Sequence, residues 1–414
     1  MSEWKTIGEI AEIYDGPHAT PKKIENGYYF LSISSLSNGN LDLSKSAKIC
    51  EEDYKKWTKR IVPIEGDLLF SYETRLGEAA LMPANLQACL GRRMGLLRPN
   101  LNFVRSDFLL FAWLSPEFQK VIKKNTITGA TVERIALSEL SDFPILLPSL
   151  FEQEKIVKIL TKLDQKIALN NQINEELEAM AKTLYDYWFV QFDFPDENGK
   201  PYKSSGGKMV YNDQIKCEIP EGWGVKQLGE IESNIITGKT PSRSIQENFG
   251  GNIPFITIGD IRGNTFIYSS AESLSDFGAD GQSNKYLPPY SLCVSCIASV
   301  GEIGFTTQLS QTNQQINSII FNDVNHMYFL YFALKLFFKS SKTKTGNTFA
   351  NMSKDDFSNI IITYPDDRVI KKYHKQVRSM FDKIKCLQLQ NQELTQLRDW
   401  LLPMLMNGQV KVEE

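Results

Sequence analysis

The chain carries much of its own sequence twice. Residues 128–148 read TGATVERIALSELSDFPILLP, and residues 345–365 read TGNTFANMSKDDFSNIIITYP. Gly129 aligns with Gly346, Thr131 with Thr348, Ser141 with Ser358, Ile145 with Ile362 and Pro148 with Pro365, each 217 apart without a gap. Upstream, WKTIGEI (4–10) resembles WGVKQLGEI (223–231), and ATPKK (19–23) resembles KTPSR (239–243). SISSLSNGN (32–40) resembles TIGDIRGNT (257–265), and SYETRLGEAAL (71–81) resembles SCIASVGEIGF (295–305). The offsets there drift between 219 and 225, as loops of unequal length require. Such a chain must fold into two similar halves. The stretch 190–222 between them is rich in Gly, Pro, Ser and charge and reads as a linker.

Each copy has two parts. The first shows short apolar runs with Gly, Asn and Asp between them. FITIGDI, SLCVSCIASV and DLLFSYE read as strands, and FVRSDFLLFAWLSPEFQKVIKK and MYFLYFALKLFFKSS as apolar-faced helices. This predicts an α+β fold with two mixed globules, 1–148 and 223–365. The second part, 149–189 and 366–414, is a long helix. In the first copy an apolar seam runs through Ile156, Leu160, Leu163, Ile167, Asn170, Asn174, Leu177, Ala181, Leu184 and Trp188. Its steps alternate four and three, the spacing of a coiled coil. Adding 217 gives Tyr373, Val377, Met380, Ile384, Leu387, Asn391, Leu394, Arg398, Leu401 and Leu405.

Two such seams in one chain can pair with each other. A return through a second globule favours an antiparallel pair, a pseudo-two-fold rod of roughly 60 Å at 1.5 Å per residue. Asn174 and Asn391 share one seam position, where a buried Asn either fixes register at a cost in stability or sits half-exposed. Pro403 is expected to kink or end the second helix, with Gly408 as its stop.

Composition excludes several classes. Of the 414 residues 42% are hydrophobic and 23% charged, an ordinary globular balance. No run of 18 apolar residues suggests a membrane span, and MSEWKTIGEIAEIYDG lacks the form of a signal peptide, so a cytoplasmic location is expected. A net charge of −3 weighs against a generic nucleic-acid binder but leaves room for local basic clusters. Cys293 and Cys296 form a lone CxxC without the second pair that zinc needs, so reduced cysteines in a strand are expected.

Catalytic patterns are missing from the sequence. There is no GxxxxGK[ST] phosphate loop and no GxGxxG. LPPY (287–290) places Leu287 where amino-methyltransferases need Asn or Asp, and reads as a turn. Asp164–Gln165–Lys166 has nuclease spacing but lies on the seam helix. His326 and His374 are expected on the surface or on a helix, and His18 in a Gly/Pro loop is either a polar contact or a turn residue. What remains are polar, basic loops: KKWTKR (55–60), GRR (91–93), the TPKK and TPSR pair, and KSSKTKTGNT (339–348). Arg and Lys meet phosphates, and Arg, Asn, Ser and Thr meet base edges.

Taken in order, LLPSLFEQEKIVKILTKLDQKI, KTLYDYWFVQFDFP, IPEGWGVKQLGEI, TGKTPSR with NIPFITIGDI, and RDWLLPMLMNGQV resemble the specificity subunit of type I restriction–modification systems. The resemblance covers almost the whole chain. It implies two target-recognition domains, each reading half of a split DNA site, joined by an antiparallel coiled coil. It implies no catalysis and no cofactor of its own. It implies two methyltransferase subunits that use S-adenosylmethionine and, in the full complex, two motor–nuclease subunits that use ATP and magnesium.

By position, the resemblance places DNA contacts at Thr20, Lys22, Lys23, Ser34, Ser35, Tyr72, Arg75, Arg92 and Arg93 in the first copy. In the second it places them at Thr240, Ser242, Arg243 and Asp260, with Gly259 beside it. Ser299 stands where the first copy has Arg75, and Arg398 interrupts the apolar seam, free to reach a partner subunit. Two other readings compete. A catalytic fusion would need a methyl-donor loop that the sequence lacks. A scaffold that binds no DNA would fit the near-neutral charge.

Overall fold

The computed structural model describes residues 2–410 and 412, except His18, Asn38, 128–131 and 346–350. It separates into two compact units, 1–166 with 394–414, and 167–393. The TGxT loops and His18 therefore lie outside the described residues. So do the side chains of 342–345.

In the first unit the central sheet is antiparallel, in the order Ala11–Asp15, Met94–Pro99, Leu68–Ser71, Ala79–Leu81. Beside it lies a smaller mixed sheet of Ala47–Ile49, Tyr28–Phe30 and Ala88–Cys89. Glu3–Thr6 pairs antiparallel with Pro144–Leu147 and brings the two ends of the copy together. The second unit repeats this plan. Ile235–Thr237, Ile316–Ile319, Leu292–Ser295 and Ile303–Thr306 form the central sheet, extended by the parallel strand Phe266–Ile267. Glu272–Leu274, Phe249–Ile256 and Gln311–Thr312 form the smaller one. Gly224–Gln227 pairs with Ile361–Tyr364.

The repeated GEI and Ser have a packing reason. Each copy opens with a strand and one helical turn, Ile7–Ile10 or Leu228–Ile231, closed by a glutamate capping box. A β-carbon on Gly8 would lie 3.1 Å from Cβ of Ser141, and one on Gly229 would lie 3.3 Å from Cβ of Ser358. The small pair lets the opening turn seat against the end of its own copy.

Helices differ between the copies for a local reason. In the first, Pro116 lacks an N–H, so the chain breaks into Ser106–Leu114 and Pro116–Lys124, with the Ser115 hydroxyl accepting from the Phe118 N–H. The second has no proline there and runs as one helix, His326–Thr345.

The two long helices are Leu150–Tyr185 and Asp367–Met406. No seam residue is exposed. In the second unit the helices run antiparallel: the Tyr373 hydroxyl donates to the Ala181 carbonyl, while Asn391 meets Asn170 at the other end. In the first unit Leu402, Leu405 and Met406 share a core with Ile156, Val157 and Leu160. Pro403 does not end the second helix, which continues to Met406. One missing N–H in the last turn forfeits a single bond. Gly408, at φ +72°, then closes it by donating to the Leu405 carbonyl.

The stretch 190–222 is folded, contrary to a linker reading. Met209–Asn212 and Cys217–Pro220 form a hairpin, and Phe194 stacks between Tyr202 and Trp223 at centroid distances of 4.7 and 5.0 Å. Its Gly and Asp residues make the turns, which is why composition alone reads as a linker. The CxxC cysteines enter different cores, Cys293 one and Cys296 another, and burial pushes their thiols up to about 12 and about 11. Among the described residues no helix is long and apolar enough to cross a membrane.

Candidate nucleic-acid interface

At one end of each central sheet the same loops converge. In the first unit the Gly16 N–H donates to the Met94 carbonyl at 2.8 Å, and the Tyr72 N–H donates to the Arg93 carbonyl at 3.3 Å. In the second, Gly238 donates to Ile316 at 3.0 Å and Cys296 to Gln315 at 2.8 Å. These approaches leave no room for side chains. A β-carbon on Gly16 would lie 2.5 Å from the Gly91 carbonyl oxygen, and one on Gly238 would lie 2.2 Å from that of Asn313.

The loop after the central strand is built alike in both. Ser71 and Ser295 each take the N–H···O bond to Glu78 or Glu302 at 2.9 Å. Thr74 (φ 69°) and Ala298 (φ 63°) occupy the same left-handed position, followed by Gly77 and Gly301 at φ 82° and 90°. A β-carbon there costs roughly 1 kcal/mol or more, so the two copies hold the same strain at the same place. The backbone of Glu73 forms an antiparallel β-bridge with that of Arg134, and the backbone of Ile297 with that of Asn351. The first third of each repeated stretch thus joins the cluster.

Several residues expected to meet DNA have partners within their own unit. Ser35 is fully buried and hydrogen-bonded to the Ser46 hydroxyl at 2.9 Å. Tyr72 is buried, and its phenol is raised by desolvation and then by the Asp15 and Glu73 charges. Ser34 bonds the Ser32 hydroxyl at 2.9 Å. Arg75 pairs with Glu78 at 3.2 Å and reaches the Ile33 and Ser34 carbonyls, and Arg93 pairs with Glu73 at 2.6 Å. Asp260 caps its own helical turn, accepting from the Thr257 N–H and hydroxyl at 2.7 Å each and from the Ala271 N–H at 2.8 Å. Gly259, beside it, is exposed. These groups build the loops.

Others face solvent. Thr20, Lys22, Lys23 and Arg92 are exposed, and among the described residues neither lysine nor Arg92 has an ion pair. Ser242 is exposed and bonded to the Ser244 hydroxyl at 2.8 Å, and Arg243 pairs with Glu272 at 3.0 Å above the Phe249 ring. The Thr240 hydroxyl donates to Oε1 of Gln314 at 2.5 Å, tying the TP loop to the loop that corresponds to GRR. Arg60 of KKWTKR pairs with Asp15 at 2.6 Å.

Two residues escaped the sequence reading. Arg262 reaches Ser299 at 3.2 Å and Glu302 at 3.4 Å, so the second copy supplies its guanidinium from the neighbouring loop where the first uses Arg75. Gln314 occupies the exposed tip that Arg92 holds in the first unit. The amide run NQQ (313–315) carries no charge to mark it among the basic loops of the sequence.

On the seam, Asn391 is brought to Asn170 (2.8 Å) and Asn171 (2.7 Å), and not to Asn174. The repeat relates Asn170 to Leu387, so the pair has no mirror image, and Oδ1 of Asn174 is buried without a partner among the described residues. Arg398 is held by Asp164 at 3.0 Å and by Asp399 at 2.9 Å, so its guanidinium has partners within the chain.

Two homologous α+β units, each with the same polar loop cluster at one end of its central sheet, define a class of internally repeated protein with two like recognition domains. The sequence pattern of the type I restriction modification DNA specificity domain matches residues 1–179 and again 220–398. The chain is 34% identical to the type I restriction enzyme HindI specificity subunit of Haemophilus influenzae, over 84% of this chain and 87% of that subunit. It is 28% identical to the MjaIX specificity subunit of Methanocaldococcus jannaschii, over 99% and 93%. Its fold resembles the crystal structure of a type I restriction–modification S subunit from M. genitalium, with TM-score 0.56 and 16% identity over 98% and 96% of the two chains. The chain belongs to the family of type I restriction–modification specificity subunits, whose function is recognition of the DNA target.

Proposed function

We propose that each unit reads one half of a bipartite duplex site and that the paired long helices set the unread spacer between the halves. The observation that carries this is the loop cluster. It is built twice on the same backbone plan, with the same left-handed residue, but carries different side chains at its tips. Equal frames with unequal tips suit two reading heads for two different half-sites. Lys22, Lys23 and Arg92 in the first unit and Ser242 in the second supply exposed phosphate- and base-directed groups.

In this reading the chain has no catalysis and holds no cofactor. It docks two methyltransferase subunits, which use S-adenosylmethionine, and in the full complex two restriction subunits, which use ATP and magnesium. It works in the cytoplasm, where the DNA is. The pseudo-two-fold repeat presents related faces to the two identical partners.

The test is a methylation map of cells that carry this chain with its neighbouring methyltransferase subunit, against cells lacking this chain. A split motif, two short defined halves around a fixed undefined gap, is expected only in the first. Identical maps would overturn the reading in favour of a scaffold that binds no DNA.

A further inference from the structure

We propose that Gln314 is a base-reading residue of the second unit, directed to the adenine of an A·T pair in the major groove, where the first unit directs Arg92 to guanine. This rests on the DNA-reading role above and deepens it.

The two positions are equivalent by structure. Arg92 is followed by the residue whose carbonyl accepts from Tyr72, and Gln314 by the residue whose carbonyl accepts from Cys296. One residue further on, Met94 and Ile316 accept from Gly16 and Gly238. These bonds fix the loop tip in both units, and both tip side chains are exposed. What differs is the chemistry they offer.

The neighbouring amides are used within the loop. Asn313 donates from Nδ2 to Oε1 of Gln315 at 3.1 Å, and its Oδ1 accepts from the Gln315 N–H at 3.0 Å. Gln314 is not used in this way. Its Oε1 accepts from the Thr240 hydroxyl at 2.5 Å, and among the described residues its Nε2 has no partner. One bond from the TP loop thus holds the amide while two N–H donors and a second lone pair remain open. Adenine shows an acceptor (N7) beside a donor (N6–H₂), which a Gln amide matches with both of its atoms. Guanine shows two acceptors, which a guanidinium matches with two N–H groups. Thr240 acts as a positioning residue, because it sets which way the amide faces.

The test uses the full chain with its methyltransferase partner and compares methylated motifs of wild type, Gln314→Arg and Gln314→Ala. In Gln314→Arg one position of one half-site is expected to change from adenine to guanine. In Gln314→Ala discrimination at that position should fall by about tenfold to a hundredfold. The other half-site should stay intact in both, which reports that the variants fold. An unchanged motif in both variants at full methylation overturns the proposal. If Gln314→Arg methylates nothing, binding of the Gln314→Ala complex to four duplexes differing at the one adenine decides. Equal affinities support the proposal, and retained preference for adenine overturns it. A wild-type map without a split motif would instead sink the DNA-reading role itself.

Discussion

Glu232 is fully buried, and its carboxylate accepts from the Asn322 N–H at 2.7 Å, the Asp323 N–H at 3.3 Å and Nδ1 of His326 at 2.8 Å. The other ring nitrogen of His326 lies 3.0 Å from the Tyr364 hydroxyl, which donates to Asp367 at 2.6 Å. The chain of bonds joins the start of a domain helix to the start of the second long helix. Of the two expected placements, surface or helix, His326 takes the second: it is the first residue of its helix, buried and engaged. Glu232→Ala would orphan three donors, and an expected loss of about 3 kcal/mol follows. Hydrogen exchange at the Asn322 and Asp323 amides reads it, and unchanged protection there would refute the role. His374, stacked on Tyr328 at 4.8 Å, is held below its ordinary 6.5, chiefly by burial and then by the Arg378 charge, against the opposing Asp323 and Asp382. Its folded state binds the proton less well than the unfolded state does. Stability from this residue is full above 6.5 and falls as pH drops through 6.5 toward the lower folded value. His374→Phe should keep the stack and flatten that part of the pH–stability curve. A curve of unchanged slope would show that another group sets it. Neither network was legible in the sequence, because Glu232 and His326 are 94 residues apart and meet only through the fold.

At the scale of elements, the seam was legible and its polar register was not. A strict four–three alternation repeated at a fixed offset names the buried stripe of each helix. The axial stagger of the two stripes decides which Asn meets which, and no single-helix pattern contains that stagger. The structure sets Asn391 against Asn170 and Asn171 and gives Asn174 no part in that pairing. Asn174→Leu removes a buried oxygen that has no partner among the described residues, and a gain of about 1 kcal/mol in unfolding free energy is expected. Asn391→Leu leaves Asn170 with its one remaining bond, to Gln390 at 2.9 Å, takes a partner from the exposed Asn171, and should cost about 1 kcal/mol. Urea unfolding of the two variants checks both signs. Equal effects would show that the pairing carries no register information. The strands before the two loop clusters were legible from their apolar runs, and the sites only partly. Cations stand out in a sequence, whereas burial of Ser35 and Tyr72, internal pairing of Arg75 and Arg93, and exposure of Gln314 depend on how three loops pack.

For the whole molecule, the proposed ruler makes a quantitative claim. One heptad added to both long helices keeps every seam residue on its stripe, because two turns return the helix to the same face. It lengthens each helix by about 10 Å at 1.5 Å per residue. Duplex DNA rises about 3.4 Å per base pair, so the unread spacer should grow by about three base pairs. DNA also turns by roughly a third of a revolution over that distance, which the added helix does not follow. Methylation should therefore weaken while both half-sites keep their identity. Adding two residues instead of seven would turn the seam by about 200° off its stripe, and should unfold the helix pair rather than shift the spacer. A heptad variant whose map shows the original spacer at full methylation would mean that something other than the helices sets the gap.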